Sequence, residues 1–211
     1  MNRPIRSFVL RQGRTTPAQQ RALDSLLPLY GIPFPEKIES KKPLVLEIGS
    51  GMGETTLEIA KAHPDTDFVA VEVHGPGVGS LLNKIQKEDI KNLRVVRHDA
   101  VEVLERMVGD GSLAALHLFF PDPWPKKRHH KRRLVQPAFA SLAGRKLVAG
   151  GILHAATDVP DYAKHIEQVL SESGDFEKAK SGLVERPTTK FEARGRKLGH
   201  PIRDLFFRRR R

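Results

Sequence analysis

Three carboxylates follow short apolar runs in the first half of the chain. Glu47 lies in Leu44-Val45-Leu46-Glu47-Ile48, Glu72 near the end of the run Asp67 to Val73, and Asp99 just after Leu93 to His98. The first run leads into Gly49-Ser50-Gly51-Met52-Gly53. Gly49 and Gly51 let backbone approach a ligand closely. Glu72, 25 residues beyond Glu47, is spaced to accept from both hydroxyls of a ribose, and Asp99 could accept from an adenine amino group. The dinucleotide spacing G-x-G-x-x-G is not met. The third position is Glu54, which at a helix N-terminus would repel a pyrophosphate. S-adenosylmethionine carries an amine and a sulfonium and no phosphate, so it suits an acid-rich turn better than NAD or FAD does.

A fourth carboxylate, Asp122, sits in Phe119-Phe120-Pro121-Asp122-Pro123-Trp124-Pro125. The prolines stiffen this stretch, and Trp124 offers a face on which a base can stack. Asp122 could accept hydrogen bonds from a base. Lys126 to Arg133 (KKRHHKRR) follows at once, putting Arg128, His129, His130, Lys131, Arg132 and Arg133 where phosphates would lie. The plainer reading of Trp124 is a packed residue closing a proline-rich turn. His117, inside an apolar run, reads as packed.

These residues belong to a chain of 211 residues without cysteine and with net charge +11. The missing thiols exclude disulfides, thiolate metal sites and a cysteine nucleophile, and no metal site is expected. The charge is uneven. The first 23 residues carry +5, KKRHHKRR carries +6 and the last four residues carry +4, leaving the remainder at about −4. A mildly acidic body with basic attachments expects a polyanionic partner, most simply nucleic acid. The longest apolar runs are far below the ~20 residues of a membrane span. Met1 to Arg6 shows no apolar stretch of secretory type. No membrane partner and a cytoplasmic location are therefore expected.

The elements that must position the four acids alternate. Strands are expected at 44–48, 67–73, 93–98, 113–120 and 152–156. Helices are expected at 54–62, 78–90, 101–108, 134–148 and 162–172, with Gly150-Gly151 ending the fourth. This order predicts an α/β, doubly wound, mostly parallel Rossmann-like sheet. Strand-like stretches at 176–180 and 204–207 add a terminal antiparallel pair. Residues 1–43 read as a basic arm and proline-rich linker, and 44–211 as the globular domain.

Several strings then combine: RSFVLRQGRTTPAQQRAL (6–23), EIGSGMG (47–53), FFPDPWPKKRHHKRR (119–133), ATD (156–158) and TKFEARG (189–195). Together the chain resembles the bacterial tRNA (guanine-N7-)-methyltransferases, class I S-adenosylmethionine-dependent enzymes. The resemblance spans nearly the whole chain, and PDPWPKKRHHKRR is its most specific part. It implies that Glu47, Glu72, Asp99 and Asp122 line the cofactor site and that Asp122 is the catalytic carboxylate. It further implies that Lys126, Asp158, Thr189, Lys190, Phe191 and Glu192 contact the substrate guanosine, guanine 46 of the tRNA variable loop. Guanine N7 has a free lone pair and no proton, so a site with no general base is consistent with that reaction. Two other readings stand beside it: a non-catalytic RNA-binding protein on a methyltransferase fold, and an enzyme methylating an exocyclic base nitrogen. The acids at three strand ends oppose the first. The single proline between Asp122 and Trp124 opposes the second.

Overall fold

The computed structural model describes residues 6–9, 13–188, 192 and 202–211. Five parallel strands come first along the chain: β1 (Leu44–Ile48), β2 (Asp67–Val71), β3 (Leu93–Val96), β4 (Leu113–Phe119) and β5 (Leu147–Thr157). With β6 (Phe176–Lys178) and β7 (Arg203–Arg209) they make one seven-stranded sheet in the order β3-β2-β1-β4-β5-β7-β6. Strand β7 runs antiparallel to both of its neighbours. All five residues of β1 are buried, as expected of parallel strands covered on both faces.

Helices α5 (Ala100–Arg106), α6 (Pro137–Lys146) and α7 (Pro160–Glu172) cover one face, where Leu46, Leu116 and Leu153 meet Val103, Phe139 and Tyr162. Helices α3 (Glu54–Ala62) and α4 (Gly75–Lys87) cover the other, where Val45, Ala115 and Ile152 meet Leu57 and Leu81. No helix among the described residues is long and apolar enough to cross a membrane.

Two expectations change. Residues 13–43, read as arm and linker, carry α1 (Pro17–Ser25) and α2 (Leu27–Tyr30). Thr16 and Gln19 cap α1 reciprocally. Helix α1 lies so close to α4 that a Cβ on Gly79 would stand 2.6 Å from the Gln19 carbonyl oxygen. Ala22, Leu26 and Ile38 join the core, and bridges Gly31–Val95 and Ile38–Val108 fasten the segment to the domain. The second change concerns Gly150-Gly151, which do not end a helix. Helix α6 stops at Lys146, and the pair lies inside β5, where the register against β4 shifts between Leu113 and Ala115. Gly150 takes φ 82° at that irregularity, a value glycine tolerates.

Candidate active site

The carboxyl ends of β1, β2 and β4 open onto a cavity of about 220 Å³. Its walls include Ile48, Gly49, Val71, Glu72, Leu118 and Asp122. A ligand is expected there, beyond the strand ends where crossovers diverge to opposite faces of the sheet. Glu72 organises the turn. Its carboxylate accepts from the backbone N–H of Gly51 and of His74, both at 2.8 Å. Gly49 and Gly51 stand at φ 75° and 57°, and a Cβ on either would enter open space. In the same turn the Ser50 hydroxyl is buried without a partner among the described residues.

A second depression of about 590 Å³ shares Glu72 and Asp122 with the first and adds Trp124, Lys126 and His129. Asp122 therefore faces both. The turn carrying it is strained on either side, with Phe120 at φ 50° and Trp124 at φ 46°. Such dihedrals cost about 1–3 kcal/mol each and gather at functional sites. Asp99 caps α5 by accepting from Val101 N–H at 2.9 Å, and it lines a third, smaller hollow with His98 and Glu102.

A family model described as "Putative methyltransferase" matches residues 41–205. The tRNA (guanine-N(7)-)-methyltransferase of Nitrosomonas europaea is 54% identical, over 98% of this chain and 97% of its own length. That of Chromobacterium violaceum is 52% identical, over 98% and 96%. The chain belongs to this methyltransferase family. Among solved structures, the 16S rRNA methyltransferase KamB superposes with TM-score 0.58 at 15% identity, covering 96% of this chain and 97% of its own. An aminoglycoside resistance methyltransferase superposes at 0.57 and 17%, over 79% and 87%. Both share the fold.

In this family member the expected site residues divide. Gly49, Glu72 and Asp122 meet at the first cavity, and Lys126 joins at the second. Glu47 stands apart from both. It is buried on the α3 face, where its carboxyl oxygen accepts from the Thr56 hydroxyl at 2.8 Å. Burial pushes the Glu47 carboxyl up to about 7, against the lowering effect of the Thr56 bond. The neighbouring strand places His117 in register with Glu47, and burial holds that imidazole down at about 3, hence neutral. Asp158 follows β5, half-buried and outside these hollows. Thr189, Lys190 and Phe191 lie outside the described residues; Glu192 is described and buried.

The basic run forms a 3₁₀ helix, Lys127–Arg132. Arg128 and Lys131 are exposed, and His129, His130 and Arg132 are partly so. Arg133 departs from the expectation of an RNA contact. Its side chain is 2% exposed. Its Nε donates to the Pro123 carbonyl at 2.9 Å, its Nη2 pairs with Asp161 at the start of α7, and its guanidinium lies over the Tyr162 ring. It anchors the Asp122 turn to α7 and is sealed from phosphates. Trp124 also differs from a free stacking platform: Arg132 covers its face and His129 meets it edge-on.

Sequence reasoning missed Phe8, which lines all three hollows, and His98, which lines two. His98 stacks on Phe34 and bonds Glu102. Neither Phe8 nor His98 belongs to a spacing pattern. They arrive because residues 6–9 cross the cavity mouth and Phe34 packs beside α5.

Proposed function

We propose that the chain transfers a methyl group from S-adenosylmethionine to N7 of guanine in tRNA, at position 46 of the variable loop, in the cytoplasm. The supporting observation is Asp122, which faces the glycine-turn cavity and the Trp124–Lys126 depression at once. The residues present suit the cofactor: an open-faced glycine turn, a Ser50 hydroxyl without a partner among the described residues, apolar walls for the adenosine, and a Glu72 whose remaining lone pairs can accept from ribose hydroxyls. Glu72, Asp99 and Gly49 would hold it, with Glu47 acting beneath the turn through Thr56. When bound, the cofactor supplies a methyl carbon activated by a sulfonium.

The chain's own residues position the other reactant. N7 already has its lone pair, so no side chain needs to remove a proton. Alignment of the base is the main task, and positioning of this kind can supply several kcal/mol of the barrier. The exposed members of the 3₁₀ helix meet phosphates, which fix register without reading sequence. Lys126, Asp158 and the Thr189–Glu192 segment meet the guanosine. Asp122 orients the base and opposes the positive charge that the ring acquires when N7 is alkylated. Incubation with labelled S-adenosylmethionine and bulk tRNA, followed by nucleoside analysis, tests the reading. Label is expected in 7-methylguanosine, and label in any other nucleoside overturns it.

A further inference from the structure

A single guanidinium gathers the parts of the site that the topology brings from distant places. The side chain of Arg186 is buried, 4% exposed. Its Nη2 donates to Glu192 Oε1 at 3.2 Å while Nη1 pairs with the other oxygen of the same carboxylate. Its Nε and Nη2 each donate to Asp204 on β7 at 3.1 Å. Asp204 is itself held by His154 Nε2 of β5 at 2.8 Å. The guanidinium also lies 5.7 Å from the ring centre of Phe119 and 5.4 Å from that of Phe120. Those two residues lead directly into Pro121-Asp122.

Four N–H bonds to two carboxylates use the planar fork of arginine, and an ammonium cannot reproduce them. The structure thus links three things through one side chain: the strand pair β5–β7, the strained turn that carries Asp122, and Glu192. From this arrangement we propose that Arg186 is a positioning residue that seats Glu192 beside the Asp122 turn and so sets how the guanine is presented to the methyl donor. The proposal rests on the reading above that Glu192 contacts the guanosine. Nothing in it requires Arg186 to touch the substrate. Its effect passes through Glu192 on one side and Phe120 on the other. Asp204 and His154 supply the fixed end of the link.

The test is R186K, E192Q and the double variant, measured by single-turnover methylation of tRNA with tRNA and S-adenosylmethionine both saturating. Cofactor affinity by calorimetry and tRNA affinity by filter binding are measured alongside. R186K is expected to lower the single-turnover rate at least tenfold while both dissociation constants stay within about threefold of wild type. A merely structural role would instead shift cofactor affinity and melting together. E192Q is expected to be slow as well, and the double variant no slower than the worse single variant, since residues acting as one unit are not additive. A wild-type rate in R186K with a slow E192Q, or losses that multiply in the double variant, would overturn the role of Arg186. A wild-type rate in E192Q would instead remove Glu192 from the substrate contact on which the proposal stands. If circular dichroism shows R186K unfolded, D204N carries the test, because it loosens the fixed end and leaves the Arg186–Glu192 pair. It is expected to lose threefold or more in the same rate, and an unchanged rate overturns the proposal.

Discussion

The indole N–H of Trp124 donates to the backbone carbonyl of Ser7 at 3.0 Å, across 117 positions of sequence. This bond holds residues 6–9 over the cavity that Ser7 and Phe8 help to line. Trp124→Phe keeps a ring beneath Arg132 and deletes the donor. A neutral hydrogen bond is worth about 1 kcal/mol net. Amide hydrogens at Phe8 and Val9 should then exchange roughly fivefold faster, with protection in β1 and β4 unchanged. Hydrogen exchange read by mass spectrometry checks this, and unaltered exchange at 8–9 would show that the segment is held by other contacts.

Glu47 makes stability depend on pH in a predictable direction. Burial raises its pKa in the folded state from the ordinary 4.5 to about 7. Its favourable contribution is therefore full below about 4.5 and is lost as pH climbs through about 7. Glu47→Gln stays neutral throughout. Wild type should lose ground against this variant between pH 4.5 and 7, by ~3 kcal/mol in all, and the difference should level off above that. Parallel urea titrations across this range measure it. A constant difference would mean that the Glu47 carboxyl is not desolvated.

Asp204 titrates in a separate window. Burial works to raise its pKa, but hydrogen bonds from His154 and Arg186 prevail and hold it at about 2. Its contribution is present above the ordinary 3.8 and is lost as pH falls through about 2. Asp204→Asn should therefore flatten the acid limb of the stability profile below pH 4 and leave the limb assigned to Glu47 untouched. A full acid limb in the variant would locate that titration elsewhere.

The basic run should separate into anchoring and binding parts. Arg133→Ala removes the bond to Pro123 and the pair with Asp161, and is expected to cost about 1–3 kcal/mol of stability. It should leave the salt dependence of tRNA binding alone. Replacing Lys127, Arg128, Lys131 and Arg132 with alanine should do the opposite. Stability should hold, and the log–log salt slope should flatten by about 0.7–0.9 per lost phosphate contact. Thermal melts and binding at several salt concentrations distinguish the two.

Asp122→Ala should slow single-turnover methylation about 100–1,000-fold, the usual loss when a group aimed at transition-state charge is removed. The tRNA dissociation constant should hardly move, because phosphate contacts supply most of it. Asp122→Asn separates orientation from charge: retained activity favours hydrogen bonding, and activity as poor as alanine favours charge. Wild-type rates in both would show that Asp122 only shapes its turn.

Much of this architecture is legible in the chain because parallel strands covered on both faces must be apolar throughout. Leu44–Ile48 and Leu113–Phe119 announce themselves in that way. The acids at strand ends follow from the same reading. Gly150-Gly151 misled because a glycine pair marks an irregularity without saying whether a helix has ended or a strand has bulged. The prolines of residues 28–43 suggested a linker, yet Pro28 lies in the first turn of α2, where its missing N–H costs nothing. The pattern Thr16-Pro17-Ala18-Gln19 was a capping signal that the basic charge around it obscured. Arg133 reads as one more cation of a run, and the placement of Pro123, Asp161 and Tyr162 turns it inward. The link from Glu192 through Arg186 to Asp204 leaves no periodic trace, since ion pairs across irregular backbone follow no spacing.

The position of β7 has a consequence during synthesis. In space it lies between β5 and β6, but it is made after both. Until residues 203–209 leave the ribosome, β6 has no neighbouring strand and β5 keeps an open edge on the side away from β4. A nascent chain can thus close the β1–β4 side early and still lack Asp204. Stalling or truncation shortly before residue 203 would leave a folded β1–β4 side beside an unpaired, adhesive strand, so residues 203–209 both join β6 to the sheet and fix the Arg186 guanidinium next to the Asp122 turn.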